Sequence, residues 1–171
     1  TVGVAVPGIE MIISDLHEVM IRGSIVMQGY YKDSESTNQV MVNGWYKTGD
    51  LGYLDNEGFL TLTGRCKNLI ILNNGENVSP EELEADFQKY DEVQEVLVYE
   101  QKGIIVAEIY PNEQSLIEKL NKETIQEHFD NICEKINYNR PMYKRVGMVK
   151  LRDSEFAKNT SKKIIRYKRK D

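Results

Sequence analysis

The sequence predicts an α+β protein: a small β-barrel-like subdomain followed by a compact α+β domain with helices on an antiparallel sheet. Three observations lead there. Residues 1–64 are dominated by short alternating apolar and polar runs, separated by turn residues. From Arg65 onward the pattern becomes strands interleaved with segments of helical period, in the order ββ-α-ββ-α-β-α. The charge changes at the same place: residues 1–64 carry 3 Lys+Arg against 8 Asp+Glu, and the remaining residues carry 19 of each. The expected division is therefore 1–64 as a β-rich subdomain, 65–68 as a connector and 69–171 as the second domain.

Taken in order, Thr1 to Ile13 reads as a strand, a Pro7-Gly8 turn and a second strand. Val19 to Val26 is a further β-rich run broken at Gly23, and Asp33 to Thr37 has the composition of a capped helical turn. The stretch Lys32 to Asn43 otherwise reads as a loop. Tyr53-Leu54 and Phe59 to Thr63 are expected as short strands joined by the turn Asp55-Asn56-Glu57-Gly58. Leu69 to Leu72 is a short apolar strand ending in the Asn73-Asn74-Gly75 turn.

Ser79-Pro80-Glu81-Glu82 has the order of a helix start, with Ser as N-cap, Pro at the first helical position and Glu82 placed to close a capping box. That helix is expected to reach about Tyr90, with Leu83 and Phe87 on one face. Val93 to Tyr99 and Ile104 to Tyr110 are strands around the Gln101-Lys102-Gly103 turn. Ser115 to Asn137 has helical period, in one or two pieces, with apolar patches at Leu116, Ile117 and Leu120 and at Ile125, Phe129, Ile132, Cys133 and Ile136. Pro141 ends it, Val146 to Leu151 is a strand, and Ser161 to Lys170 is expected as a short final helix.

The 171 residues suffice for a real core, and the 40% hydrophobic and 29% charged fractions are those of a globular protein. A net charge of −5 argues against a general nucleic-acid binder, although Lys158 to Lys170 is locally basic. Cys66 and Cys133 are far apart and form no metal or redox spacing, which points to a reducing compartment. No apolar run approaches the roughly 20 residues of a membrane span. The expected location is the cytoplasm, with a peripheral position at a membrane left open. The chain begins without Met and already in strand-like alternation, which reads as a piece of a longer protein.

Several positions could carry chemistry. In Thr48-Gly49-Asp50 a glycine before an acid allows a sharp turn that presents the carboxylate, whose oxygens can accept from two vicinal hydroxyls. Arg65, after a strand, could fork onto phosphate or sugar oxygens. Gly75 at a hairpin tip could let a ligand pass close to the backbone. Lys163, within the basic run, could meet an anion. Each of these alone is also ordinary surface chemistry: a turn-capping acid, a surface ion pair, a β-turn and a solvated tail. His17 and His128 lack partners at metal-ligand spacing, and the chain has no Gly-rich phosphate loop and no Ser/His/Asp or Cys/His set.

In combination these residues resemble the C-terminal part of the adenylate-forming superfamily, which includes acyl-CoA synthetases, peptide-synthetase adenylation domains and luciferases. GWYKTGDLGYLDNEGFL is similar to the family's ribose-binding motif, and GRCKNLIILNNGENVSPEELE to its hinge and hairpin motif. IRGSIVMQGYYKDSEST and FAKNTSKKIIR resemble two further motifs. The resemblance implies that Asp50 binds the ribose hydroxyls of ATP, that Arg65 also contacts the nucleotide, and that Lys67 is the hinge. It implies that Gly75 lines the pantetheine tunnel and that Lys163 is the lysine required for adenylation. Residues 1–64 would end a large N-terminal domain, and 69–171 would be the mobile C-terminal domain.

The chain departs from the family's Pro-Lys-Thr-x-x-Gly-Lys pattern at Ala157, Asn159 and Lys162. The details most resemble bacterial long-chain fatty acid–CoA ligases. The implied substrates are a fatty acid, ATP and CoA, with Mg2+ and ATP held mainly by an N-terminal part lying upstream of Thr1. On that reading this chain alone is inactive or nearly so. The alternatives are an acyl-AMP ligase or amino-acid adenylation domain that does not use CoA, or a non-catalytic binding module of the same fold. A nucleic-acid role for the basic tail ranks after them.

Overall fold

A computed structural model describes residues 1–119 and 124–166. The chain folds as two compact units, Thr1–Leu69 and Ile70–Asp171.

The first unit is an antiparallel sheet organised on one long strand. Its elements are β1 (Ile9–Ile13), β2 (Glu18–Gly23), α1 (Ser34–Val40), β3 (Met41–Val42), β4 (Trp45–Leu54) and β5 (Leu60–Arg65), closed by a 3-10 turn at Cys66–Asn68. β4 carries β2 along one edge and β3 followed by β5 along the other; Tyr46 pairs with both Ile21 and Met41, and Leu51 with both Glu18 and Gly64. Gly3 bridges to Leu60, so the opening residues also join this unit, although only from Ile9 do they form a strand.

Two local expectations change here. Residues 32–43 are not simply a loop: Asp33 caps α1 by accepting from Ser36 N at 2.9 Å, and β3 follows. Asn43 and Gly44 then turn the chain with both residues left-handed, which matches the twist of a two-residue hairpin. Thr48-Gly49-Asp50, for its part, lies within one continuous ten-residue strand. Only Val19, Leu51 and Leu60 are buried hydrophobic residues in this unit, while Val2, Val4, Val6, Leu16, Ile25 and Tyr31 are well exposed.

The second unit contains the larger core. β6 (Ile70–Ile71) and β7 (Asn77–Val78) form a small hairpin, α2 (Pro80–Phe87) follows, and β8 (Val93–Gln101) and β9 (Ile104–Pro111) pair antiparallel. The β8–β9 turn places Lys102 and Gly103 left-handed. α3 (Glu113–Lys119) and α4 (Ile125–Asn137) cross over to β10 (Met148–Leu151), which pairs parallel to β9, as a helical crossover allows. The core cluster includes Leu83 and Phe87 of α2, Val96 and Val98 of β8, Ile109 of β9, and Phe129 and Ile132 of α4.

The helices follow the predicted faces with corrections. α2 ends at Phe87, short of Tyr90. Ser79 is its N-cap and Pro80 its first residue, but no capping box forms there. Ser79 Oγ donates to the Glu81 carboxylate at 3.1 Å, and Glu82 instead faces Arg140 and Lys144 at 3.8 Å. The capping box is found on α4, between Thr124 and Glu127. On α3 Leu116 is buried and Ile117 is 81% exposed, because adjacent helical positions cannot share one face; Leu120 lies outside the described residues. The final helix expected from Ser161 is absent through Arg166: Lys158 and Ile164 instead bridge in β fashion, and the rest of that stretch lies outside the described residues. Among the described residues no helix is long and apolar enough to cross a membrane.

Both cysteines are free, and burial pushes both thiols up; the neighbouring Asp130 adds to this for Cys133, which reaches about 11. At pH 7 that leaves on the order of one Cys133 in ten thousand as the reactive thiolate. With a thiol reagent under native conditions, half-buried Cys66 should label first. Cys133 should label only as the protein unfolds, which a mass-resolved time course would read.

Candidate functional site

Asp50 sits just after a bulge in β4. Between Lys47, opposite Met20, and Leu51, opposite Glu18, the β4 side has extra residues. Gly49 takes φ +74, the left-handed conformation that favours glycine, with open space where a Cβ would stand. The bulge is held from below by its neighbours. Thr48 Oγ1 donates to Val19 O at 2.8 Å and accepts from Asp50 N at 3.1 Å, while Gly49 N donates to Glu18 Oε1 at 3.0 Å. Glu18 is buried, and Lys47 Nζ lies 3.4 Å from its other oxygen.

Arg65 ends β5 directly opposite Asp50, and its Nε is 2.6 Å from Asp50 Oδ1. Half of the arginine side chain remains exposed, so its other guanidinium nitrogens can still meet an anion or hydroxyl. Tyr46, which shares β4 with Asp50, has its hydroxyl pushed up by burial and by its hydrogen bond and proximity to Tyr30, with Asp50 adding to the effect. Lys67 is exposed in the 3-10 turn immediately after Arg65.

Gly75 is at the tip of the β6–β7 hairpin. Its N–H donates to Leu72 O at 2.9 Å, Leu72 N donates back across the turn to Glu76 O at 3.0 Å, and Asn74 Oδ1 accepts from Glu76 N at 3.1 Å. Gly75 has φ +83 and nothing within 4 Å of the position of an added Cβ. The turn therefore requires glycine for its backbone angle, and the space above it is open.

Lys163 lies in a closed loop. Asn159 N donates to Lys163 O, and Lys163 N donates to Asn159 Oδ1, both at 2.9 Å. Lys162, at the turn, has φ +60. A left-handed lysine costs roughly 1–2 kcal/mol relative to a relaxed residue, and it occupies the position where the related pattern has glycine. Lys163 is exposed, and among the described residues nothing pairs with its Nζ. The flanking cations are engaged. Lys158 contacts Glu95 and Glu155, which together hold its ammonium far above the usual lysine range, and Arg166 forks onto Glu84 at 2.9 and 2.5 Å.

The structure thus brings Asp50 and Arg65 together in the first unit, while Gly75 and Lys163 belong to the second. These are the positions that the sequence resemblance to adenylate-forming enzymes singles out. The chain belongs to the AMP-binding enzyme C-terminal domain family, which matches residues 67–170.

Among curated proteins it is similar to long-chain-fatty-acid–CoA ligase FadD15 of Mycobacterium tuberculosis, 42% identical over 98 residues, covering 57% of this chain and 16% of that protein. It is also similar to long chain acyl-CoA synthetase 1 of Arabidopsis thaliana, 37% identical over 118 residues, covering 68% of this chain and 18% of that protein. Among solved structures, the Bacillus subtilis O-succinylbenzoate coenzyme A synthetase in complex with AMP superposes with a TM-score of 0.76 at 29% identity, covering 99% of this chain and 35% of that one. The chain spans less than a fifth of the length of the curated relatives it matches here.

Sequence reasoning missed Glu18, Glu84 and Glu95, the buried acids beneath these features. A signal existed for two of them. Glu84 falls at helical spacing among Pro80, Leu83 and Phe87, and Glu95 alternates with buried Leu97 on one face of β8. An acid inside an apolar stripe needs a partner.

Replacing Glu18 should loosen the Asp50 bulge. Glu18→Ala leaves Gly49 N without its acceptor and should cost about 1–3 kcal/mol. Glu18→Gln keeps an acceptor and should cost less. Urea unfolding monitored at Trp45, in the same strand, gives the comparison.

Proposed function

We propose that this chain is the C-terminal part of an acyl-CoA synthetase that activates a fatty acid, a long-chain one being favoured, and transfers it to CoA. In the first half-reaction a carboxylate oxygen attacks the α-phosphorus of ATP, and pyrophosphate leaves to give acyl-adenylate. In the second, the CoA thiol attacks the acyl carbonyl, AMP leaves and the thiol proton is released. Asp50 accepts from the ribose hydroxyls, and Arg65, already aligned by Asp50, donates to the nucleotide. Lys163 offsets the charge between the substrate carboxylate and the α-phosphate as the pentavalent centre forms. The Gly75 hairpin lines the path of the pantetheine, and Lys67 is the joint about which the second unit reorients between half-reactions.

The observation that carries this reading is the Lys163 loop. It offers an exposed ammonium without a protein partner among the described residues, between two cations that are engaged. A solvated tail would not be closed by main-chain bonds at both Asn159 and Ala157. The sparse core and exposed apolar residues of the first unit further support a larger protein whose remaining part covers that sheet. Among the described residues no three His, Cys, Asp or Glu side chains converge, so no residue is assigned to the magnesium ion that accompanies ATP.

The likeness to long-chain fatty acid ligases favours a fatty acid. The structural likeness to an O-succinylbenzoate enzyme supports a second reading in which another carboxylic acid is the substrate. Turnover of the full-length protein across a panel of both acid types discriminates between them.

In the full-length protein, Lys163→Ala should reduce carboxylate-dependent ATP–pyrophosphate exchange by at least a hundredfold, on the scale of losing a preorganised charge at a transition state. Acyl-CoA formation from supplied acyl-adenylate should stay within about twofold. Equal loss of both half-reactions would remove the role given to Lys163. Gly75→Ala should show the opposite split, slowing the thioester step with little effect on exchange.

A further inference from the structure

The segment that carries Lys163 is fastened at both ends to buried carboxylates. At its start, Phe156 N donates to Glu95 Oε2 at 2.8 Å, and Lys158 Nζ reaches the same carboxylate. At its end, Arg166 makes a two-pronged contact, Nη1 to Glu84 Oε1 at 2.9 Å and Nη2 to Glu84 Oε2 at 2.5 Å. Glu84 is itself fixed: it lies on α2 with its side chain in the apolar stripe and accepts from Val98 N of β8 at 2.7 Å. Between the two anchors the strand bridge, the Asn159 bonds and Ile165 N to Ala157 O at 2.8 Å close the loop. Lys163 is three residues from Arg166 and on the exposed side of this closure.

A buried carboxylate is an expensive way to hold a tail. Burial pushes Glu84 up despite the opposing Arg166 and the Val98 amide. An apolar pair of similar volume would hold the same surfaces together at less electrostatic cost. What the ion pair adds is orientation: a planar guanidinium on a carboxylate fixes direction as well as distance, and a lysine or an apolar contact does not.

We propose that Glu84 is a positioning residue for Lys163, acting through its fork with Arg166 to set where the ammonium is presented during adenylation. This rests on the assignment of Lys163 to adenylation. Glu84 and Arg166 touch no reacting atom. Their effect should fall on the half-reaction that uses Lys163 and not on the one that does not.

The experiment uses the full-length protein and two conservative variants. Arg166→Lys keeps the charge and loses the fork. Glu84→Gln keeps an acceptor for Val98 N and loses the charge. Amide exchange by mass spectrometry reports the loop, and peptides from the β8–β9 core control for global folding. Exchange over residues 157–165 should rise at least tenfold in both variants, with core peptides unchanged. The kcat for ATP–pyrophosphate exchange should fall on the order of 10–100-fold, the scale expected of a displacement near 1 Å. The KM for ATP, and acyl-CoA formation from supplied acyl-adenylate, should stay within about twofold.

Unchanged loop exchange overturns the proposal, because the fork would not be holding the loop. A loosened loop with unchanged adenylation overturns it too, because position would not matter. Equal loss of both half-reactions identifies a general structural role and likewise overturns it. If Lys163→Ala itself spares adenylation while the fork variants loosen the loop, the failure belongs to the Lys163 assignment and not to the clamp.

Discussion

The structure depends on buried carboxylates that accept a main-chain N–H and a cation together. Glu18 takes Gly49 N and Lys47, Glu84 takes Val98 N and Arg166, and Glu95 takes Phe156 N and Lys158. In each case the anion ties irregular backbone to a regular element. A carboxylate suits this task because its two oxygens accept in different directions at once. Desolvation makes such a group costly when either partner is lost. Irregular backbone held this way keeps one shape, where an apolar contact alone would allow several.

The pattern falls beneath the features that the family resemblance singles out. The Asp50 bulge stands on Glu18, and the Lys163 loop hangs between Glu95 and Glu84. Asp50 in turn, its N–H held by the Thr48 hydroxyl, pairs with Arg65 directly opposite on the adjacent strand β5. The Gly75 hairpin is the exception. It is closed by its own main chain and by Asn74, and it makes no comparable use of charge.

Most of the regular structure was legible in the sequence because it follows from period and turn chemistry. The helix beginning at Pro80, the β8–β9 hairpin and the buried stripe of Phe129, Ile132 and Cys133 are each specified within a few residues. The misreadings came from competition with distant groups. Glu82 did not close a capping box because Arg140 and Lys144, some 60 residues later, draw its carboxylate. Ser161 to Arg166 did not become helical because the main-chain partners of Lys162, Lys163 and Ile165 lie at Asn159 and Ala157. Thr48-Gly49-Asp50 reads as a turn locally, and only the pairing of β2 and β5 on either side makes it a bulge in a strand. The motif residues were visible, but the acids that support them were not, since their partners are 14 to 82 positions away.

Lys162 and Lys163 look interchangeable in the sequence, and the backbone makes them different. Lys162 is left-handed at a turn, with its N–H bound to Asn159 O. Lys163 is pinned on both sides of its own peptide unit to Asn159. The doublet is therefore not a spare copy of one charge. A shift of the chain by one residue would move the first lysine into a slot shaped for the second only by unmaking the bonds that define the slot. Adjacent identical side chains here carry separate addresses, written in the main chain and not in the side chain.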